Sequence, residues 1–281
     1  MSGRAPRDAG DPDGDTARRG GHHYHLPRQR GRTLVGVVAP PRRQKQKLDP
    51  RGVEAVVFDA YGTVIDFTEP DFIVTMAEIC AAQGLEADAA EMWRRFLRAS
   101  YLMRSEHHAD PVYKRYDQAW ADQFEYVFRR MRLSGDAWAA ALQFKAALAG
   151  ASAFPDARPA IDALRPHYRL ALLSNADDDF LTECLSRNGL SFDTVVTSER
   201  AEAIKPHPAI FRYLARELGV LAGNILYAGD NPVPDVLGPA RAGMKSAWVN
   251  RNGMRKPRNV PQPDVRVRSL DELVGLLVPP R

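Results

Sequence analysis

Short apolar runs and longer amphipathic stretches alternate along most of this chain. The run Val53-Glu54-Ala55-Val56-Val57-Phe58 is nearly all apolar, as a strand covered on both faces would be. From Phe67 to about Gly150 no strand pattern appears. Apolar residues there recur at helical spacing and predict helices over 74–83, 89–104, 116–131 and 137–148, punctuated by Gly84, Asp110-Pro111 and Ser134-Gly135. After Phe154-Pro155 the pattern turns regular. Strands are predicted at 169–173, 194–197, 225–228 and 246–249, with helices at 178–187, 209–218 and 235–241 between them. A last strand at 264–268 and a helix at 271–277 close the chain. Such alternation implies an α/β fold with a parallel sheet and right-handed crossovers. The expected organisation is a tail at 1–50, an α/β core at 51–66 and 151–281, and a helical insertion at 67–150.

Charge sharpens this division. Residues 1–50 hold nine Arg and two Lys against five Asp, a net +6, whereas the whole chain of 281 residues is +4. The remainder is therefore slightly acidic, and the basic excess belongs to the tail. That tail is rich in Gly, Pro, Arg and Asp without hydrophobic period, so disorder is expected there. A solvated extension accounts for it better than a nucleic-acid-binding arm, and His22, His23 and His25 read as part of that extension rather than as a metal site. No apolar run reaches the roughly 18–20 residues that span a bilayer. The first thirty residues lack the apolar segment of a secretory signal. Cys80 and Cys184, in separate helical segments, read as reduced thiols. A cytoplasmic protein with no membrane partner is expected, with a homodimer left open.

Candidate chemistry gathers at the predicted strand ends. Asp59 opens Asp59-Ala60-Tyr61-Gly62-Thr63 directly after the first strand, where an open α/β sheet places its reactive groups. Leu173 runs into Ser174-Asn175, and Ala228 runs into Gly229-Asp230, with Asp235 five residues on. Lys205 lies between them in Ile204-Lys205-Pro206-His207-Pro208. A carboxylate can act as nucleophile, a buried lysine can supply fixed positive charge, and a pair of aspartates offers the oxygen ligands that Mg²⁺ prefers.

The order Asp59-x-x-Gly62-Thr63, Ser174, Lys205, Gly229-Asp230 with Asp235 resembles the four motifs of the haloacid dehalogenase superfamily, from about Val53 to the C-terminus. The resemblance implies a Rossmann-like core with a helical cap at 67–150 that closes over the site. It further implies Asp59 as nucleophile with Lys205 and Ser174 as its catalytic partners. Thr63, Ser174, Asn175 and Lys205 would hold the substrate. Mg²⁺ would be held by Asp59, the carbonyl of Tyr61, Asp230 and Asp235. Trp93-Arg94 is similar to the cap segment in which the dehalogenases bring an Arg to the halogen or carboxylate. The other reading of that pair is a packed Trp93 beside a solvated Arg94.

Two features pull apart. Tyr61 stands where phosphatases of the superfamily have an acid–base Asp, and L-2-haloacid dehalogenases carry Tyr there. Yet Asp230 is an acid where those dehalogenases have Ser, Pro232 replaces their Asn, and Phe211 replaces their Tyr. The expected function is Mg²⁺-dependent hydrolysis of a small phosphate monoester through an aspartyl-phosphate. The alternatives are a 2-haloacid dehalogenase and a catalytically silent member that binds a phosphorylated ligand or a protein.

Overall fold

A computed structural model describes residues 49–105 and 113–278. The tail expected at 1–50, with His22, His23 and His25, lies outside the described residues apart from Asp49 and Pro50. Six parallel strands form one sheet: β1 (Ala55–Phe58), β2 (Arg169–Ser174), β3 (Thr194–Thr197), β4 (Ile225–Gly229), β5 (Lys245–Val249) and β6 (Val265–Val267). Their spatial order is β3-β2-β1-β4-β5-β6, the Rossmann-like order in which the sheet reverses direction beside its first strand. The chain winds one way from β1 to β2 and β3, then returns to the other side of β1 for β4 to β6. Phe58 pairs with Leu172 on one side and Ala228 on the other. The C-terminal ends of β1, β2 and β4 therefore meet at one edge.

Side-chain alternation explains why the strands are continuous apolar runs. Ala55 and Val57 face one layer with Ala171, Leu173, Ile225 and Tyr227. Val56 and Phe58 face the opposite layer with Leu170, Leu172, Leu226 and Ala228. Because helices cover both faces, neither set of positions can be polar. One cover is α8 (Pro208–Leu218), which buries Ile210, Phe211, Leu214 and Leu218.

Four helices intervene between β1 and β2: α1 (Glu69–Gln83), α2 (Ala89–Ser105), α3 (Tyr116–Met131) and α4 (Ala137–Gly150). Helix α1 starts five residues before the expected 74. Its first turn carries no apolar period but has strong start signals. The Asp71 carboxylate accepts from the Thr68 backbone N–H at 2.7 Å and its hydroxyl at 3.0 Å, and Pro70 sits in the first turn. Aromatic rings hold this layer together. Phe72 stacks on Trp93 at 4.3 Å, and Phe144 meets Phe72, Phe96, Trp120 and Phe124 at 5.0–6.0 Å between centroids. Among the described residues, no helix is long and apolar enough to cross a membrane.

The two connectors to this layer run side by side. The Asp66 N–H donates to Ser152 at 2.8 Å and the Phe154 N–H donates to Val64 at 3.0 Å, making a short antiparallel ribbon. Helix α5 (Ala157–Leu164) follows, in a stretch where the apolar pattern predicts no element. It is short, and it buries Ala157, Ala160, Ile161 and Leu164 along one face. Then come α6 (Asp178–Arg187) and α7 (Ser198–Ala201). The helix expected at 235–241 is instead a π-helical turn (Val233–Leu237) running into α9 (Gly238–Arg241). Pro234 and Pro239 each remove an N–H from that segment. A final helix, α10 (Leu270–Leu277), closes the fold.

Phe144 is 2 % exposed at the centre of the ring cluster. Phe144→Ala is expected to lower stability by about 3–5 kcal/mol, read from urea unfolding. A loss below about 1 kcal/mol would show that the four helices do not depend on this cluster.

Candidate active site

Asp59 is the first residue past β1, and its N–H extends the ladder by donating to Ala228 at 2.8 Å. The carboxyl is 7 % exposed. Burial pushes its pKa up to about 6, against the pull of Lys205 and with the push of Asp235. Lys205 arrives from the loop before α8, 3 % exposed. Its Nζ donates to Asp59 Oδ1 at 2.7 Å, Asp235 Oδ1 at 2.8 Å and the Tyr227 hydroxyl at 2.8 Å. Burial opposes the ammonium charge, but Asp235 and Asp59 outweigh it and hold the pKa well above that of free lysine. An ammonium has three protons, so all three are engaged.

Asp235 is fully buried inside the π-helical turn. Its second oxygen accepts the Asn231 N–H at 3.0 Å. Asp230 follows β4, with its own carbonyl held by Trp248 Nε1 at 2.7 Å. Burial, together with Asp235 and Asp59, pushes the Asp230 carboxyl well above the usual carboxylate range. Oxygens of Asp59, Asp230 and Asp235 lie within 4.8 Å of one another. Lys205 bonds the first and third of these; among the other described side chains, Asp230 takes a long contact from Thr63 Oγ1, at 3.4 Å.

Two glycines make this convergence sterically feasible. Gly62 has φ +88°, and a Cβ there would stand 2.7 Å from the Asp230 carboxyl carbon. A Cβ on Gly229 would stand 2.4 Å from that of Asp235. Neither approach tolerates a side chain.

The remaining expected site residues divide. Ser174 ends β2, is 2 % exposed, and its hydroxyl has no hydrogen-bond partner among the described residues. Asn175 does not present its amide to the carboxylates. Its Oδ1 accepts the Lys205 N–H at 2.7 Å and its Nδ2 donates to the Lys205 carbonyl at 3.2 Å, fixing the lysine's backbone. The Tyr61 phenol donates to the Leu148 carbonyl of α4 at 3.2 Å, and its ring meets Phe67 and Phe180. Burial pushes its pKa far up. Arg94 joins none of these groups: it is 54 % exposed on α2, where Nε pairs with Glu91 at 2.9 Å, while Trp93 stacks in the aromatic cluster.

Tyr227 is a site residue that motif order does not reveal. It is buried on β4, accepts from Lys205 and donates to the Leu173 carbonyl at 3.0 Å. Its one sequence signal is a hydroxyl-bearing side chain inside an otherwise apolar strand.

Comparison with known proteins bears on the family and the fold. A family model described as haloacid dehalogenase-like hydrolase matches residues 53–243. Haloacetate dehalogenase H-2 of Moraxella sp. (strain B) is 27% identical over 80% of this chain and 98% of its own length. Human N-acylneuraminate-9-phosphatase is 34% identical over 43% of this chain, a match that spans only 50% of that protein. The crystal structure of an L-2-haloacid dehalogenase superposes with a TM-score of 0.69 at 24% identity, covering 80% of this chain and 98% of the other, and so shares the fold. With the sheet order, the four motifs, three of them at strand ends, and the family match in agreement, the chain belongs to the haloacid dehalogenase-like hydrolases.

Proposed function

We propose that this hydrolase is a Mg²⁺-dependent phosphatase that cleaves a small phosphate monoester through an aspartyl-phosphate on Asp59. Asp230 carries this reading. Three carboxylates converge, Asp59 and Asp235 buried and Asp230 half-buried; Lys205 bonds the two buried ones, and no cation among the described residues contacts the third. The donor set is all hard oxygen, which suits Mg²⁺. Asp59, Asp230 and Asp235 would hold it, with the Tyr61 carbonyl two residues beyond Asp59. When bound, the ion supplies positive charge opposite the phosphoryl oxygens.

The protein's own groups account for the rest. Lys205 holds one oxygen of Asp59, leaving the other to attack phosphorus while the bond to the ester oxygen breaks. The free hydroxyl of Ser174 is available to a phosphoryl oxygen, and Lys205 contributes charge rather than an unused N–H. Water then attacks phosphorus, releasing inorganic phosphate and restoring the Asp59 carboxylate. Tyr61 gives no proton to the leaving oxygen, because its own is directed at Leu148 and is held tightly. The departing oxygen must take its proton from water. We assign residues 67–150, carrying α1–α4, as the cap over this edge of the sheet.

A second reading, 2-haloacid dehalogenase, is favoured by the near full-length match to the Moraxella enzyme and by Tyr61. Halide leaves without a proton, so a missing acid would cost nothing. In that reading an Asp59 oxygen attacks the carbon and water later hydrolyses the ester. Against it, Arg94 is engaged with Glu91 at the surface.

Asp59→Asn should abolish turnover of phosphate esters in a folded protein, and chelation should do the same to wild type. Chelator-resistant halide release from 2-chloropropionate, with no ester cleaved, would establish the second reading instead. Since a proton occupies Asp59 below about pH 6 and Mg²⁺ must displace it, Mg²⁺ affinity should rise with pH through that point. Calorimetric affinity that is flat across it would remove Asp59 from the ligands. Without a positioned acid, aryl phosphates should be cleaved about 10²-fold or more faster than alkyl phosphates; equal rates would reveal another proton donor.

A further inference from the structure

The reaction described above leaves Arg251 unused, although its guanidinium makes three hydrogen bonds and stacks on a ring. It lies two residues past β5 and is 16 % exposed. Nη1 and Nη2 form a fork on Asp156, at 2.9 and 2.8 Å. Nη2 also donates to the Thr63 carbonyl at 2.9 Å. The guanidinium carbon lies 3.8 Å from the Phe154 ring centroid. Asp156 in turn accepts the Leu270 N–H at 2.9 Å, at the start of α10. The loop bearing Arg251 is itself fixed, since the Asn250 side chain bonds Met254 N–H and carbonyl at 2.8 and 2.9 Å.

These contacts join three things. Thr63 closes the loop that begins at Asp59, and its hydroxyl is the one described hydrogen bond to the Asp230 carboxylate. Phe154 is the return strand of the ribbon, bonded to Val64, the residue after Thr63. The end of β5 backs the same edge a second time through Trp248, which holds the Asp230 carbonyl. Arg251 thus grips the Asp59 loop from behind and ties it to the connector that returns from α4. A rigid, planar fork with a stacked face suits this work, because one cation can fix a carboxylate, a carbonyl and a ring at once.

We infer that Arg251 is a positioning residue: it sets the Thr63 backbone so that the Thr63 hydroxyl and Asp230 keep their places against Asp59. It acts through Thr63 and does not touch the reacting atoms. The inference rests on Asp59 chemistry of either class, so it is tested on whichever substrate the wild-type protein turns over.

The test compares Arg251→Gln, Arg251→Lys, Thr63→Val and the Arg251→Gln/Thr63→Val double variant, with Arg165→Gln as a surface control. Arg165 pairs with Asp193 and Ser191 at the surface, and these contacts include none of the motif residues. Well below the unfolding temperature, Arg251→Gln should lower kcat by about 10- to 100-fold with KM little changed. Arg251→Lys should recover part of that loss, since an ammonium keeps the charge but not the fork. The double variant should be no slower than the worse single variant, because both changes act on one contact. Hydrogen exchange should rise at residues 62–67 and 152–154 in Arg251→Gln and stay unchanged in Arg165→Gln. If Arg251→Gln does not fold, Arg251→Lys carries the same comparison with Thr63→Val. A folded variant with wild-type kcat, or losses that multiply in the double variant, would overturn the inference. Should wild type turn over neither phosphate esters nor haloacids, the functional reading fails by itself, and exchange in the two segments decides the role of Arg251: unchanged exchange overturns it.

Discussion

A buried ammonium bonded on three sides is the constraint around which this edge of the sheet is organised. Lys205 reaches Asp59 from β1, Tyr227 from β4 and Asp235 from the π-helical turn. Removing any one partner would leave a buried charge short of a bond, which is costly in a dry interior. The lysine therefore specifies the relative placement of elements far apart in sequence. Asn175 extends the arrangement by clamping the lysine's own backbone, and through it β2 joins the network. Tyr227 completes it by passing its proton-bonding on to the Leu173 carbonyl.

The chemistry then depends on the acid that this network does not satisfy. Asp59 and Asp235 are neutralised in part by the lysine, whereas Asp230 is left with a single long hydroxyl contact. A carboxylate in that position favours either a proton or a cation. Tyr61 works in the opposite sense: it removes proton donation and leaves a ring that packs between Phe67 and Phe180. The site thus pairs a cluster of carboxylates with a tyrosine whose hydroxyl is already engaged.

Much of the fold was legible because both faces of the sheet are covered, which favours short apolar runs such as 55–58, 170–173 and 225–229. Motif order, with Asp59 and Asp230 just past two of those strands and Lys205 and Asp235 in the segments between, was enough to name four residues that the fold brings together. Other features escape a one-dimensional pattern. The start of α1 is written in capping chemistry rather than periodicity, and α5 is too short for its period to register. Asn175 was expected at the substrate and instead serves the lysine. Tyr227 and Arg251 act across distances of many residues, through partners that only the folded chain defines. Arg94 shows the converse: its neighbourhood resembles a functional segment, but a glutamate one turn away captures it.

The ribbon between the two connectors has a consequence for how such a protein can change. Where the chain leaves the sheet after β1 and where it returns before α5, the backbones are already hydrogen bonded to each other, Asp66 to Ser152 and Phe154 to Val64. Everything between enters and exits through one doorway. Closing that doorway does not require the four helices, since the ladder of the ribbon is made by the connectors themselves. Lengthening, shortening or replacing the intervening segment leaves these two hydrogen bonds available, because both strands of the ribbon lie outside it. A scaffold of this kind can keep the groups at its strand ends while a single contiguous stretch of sequence is exchanged.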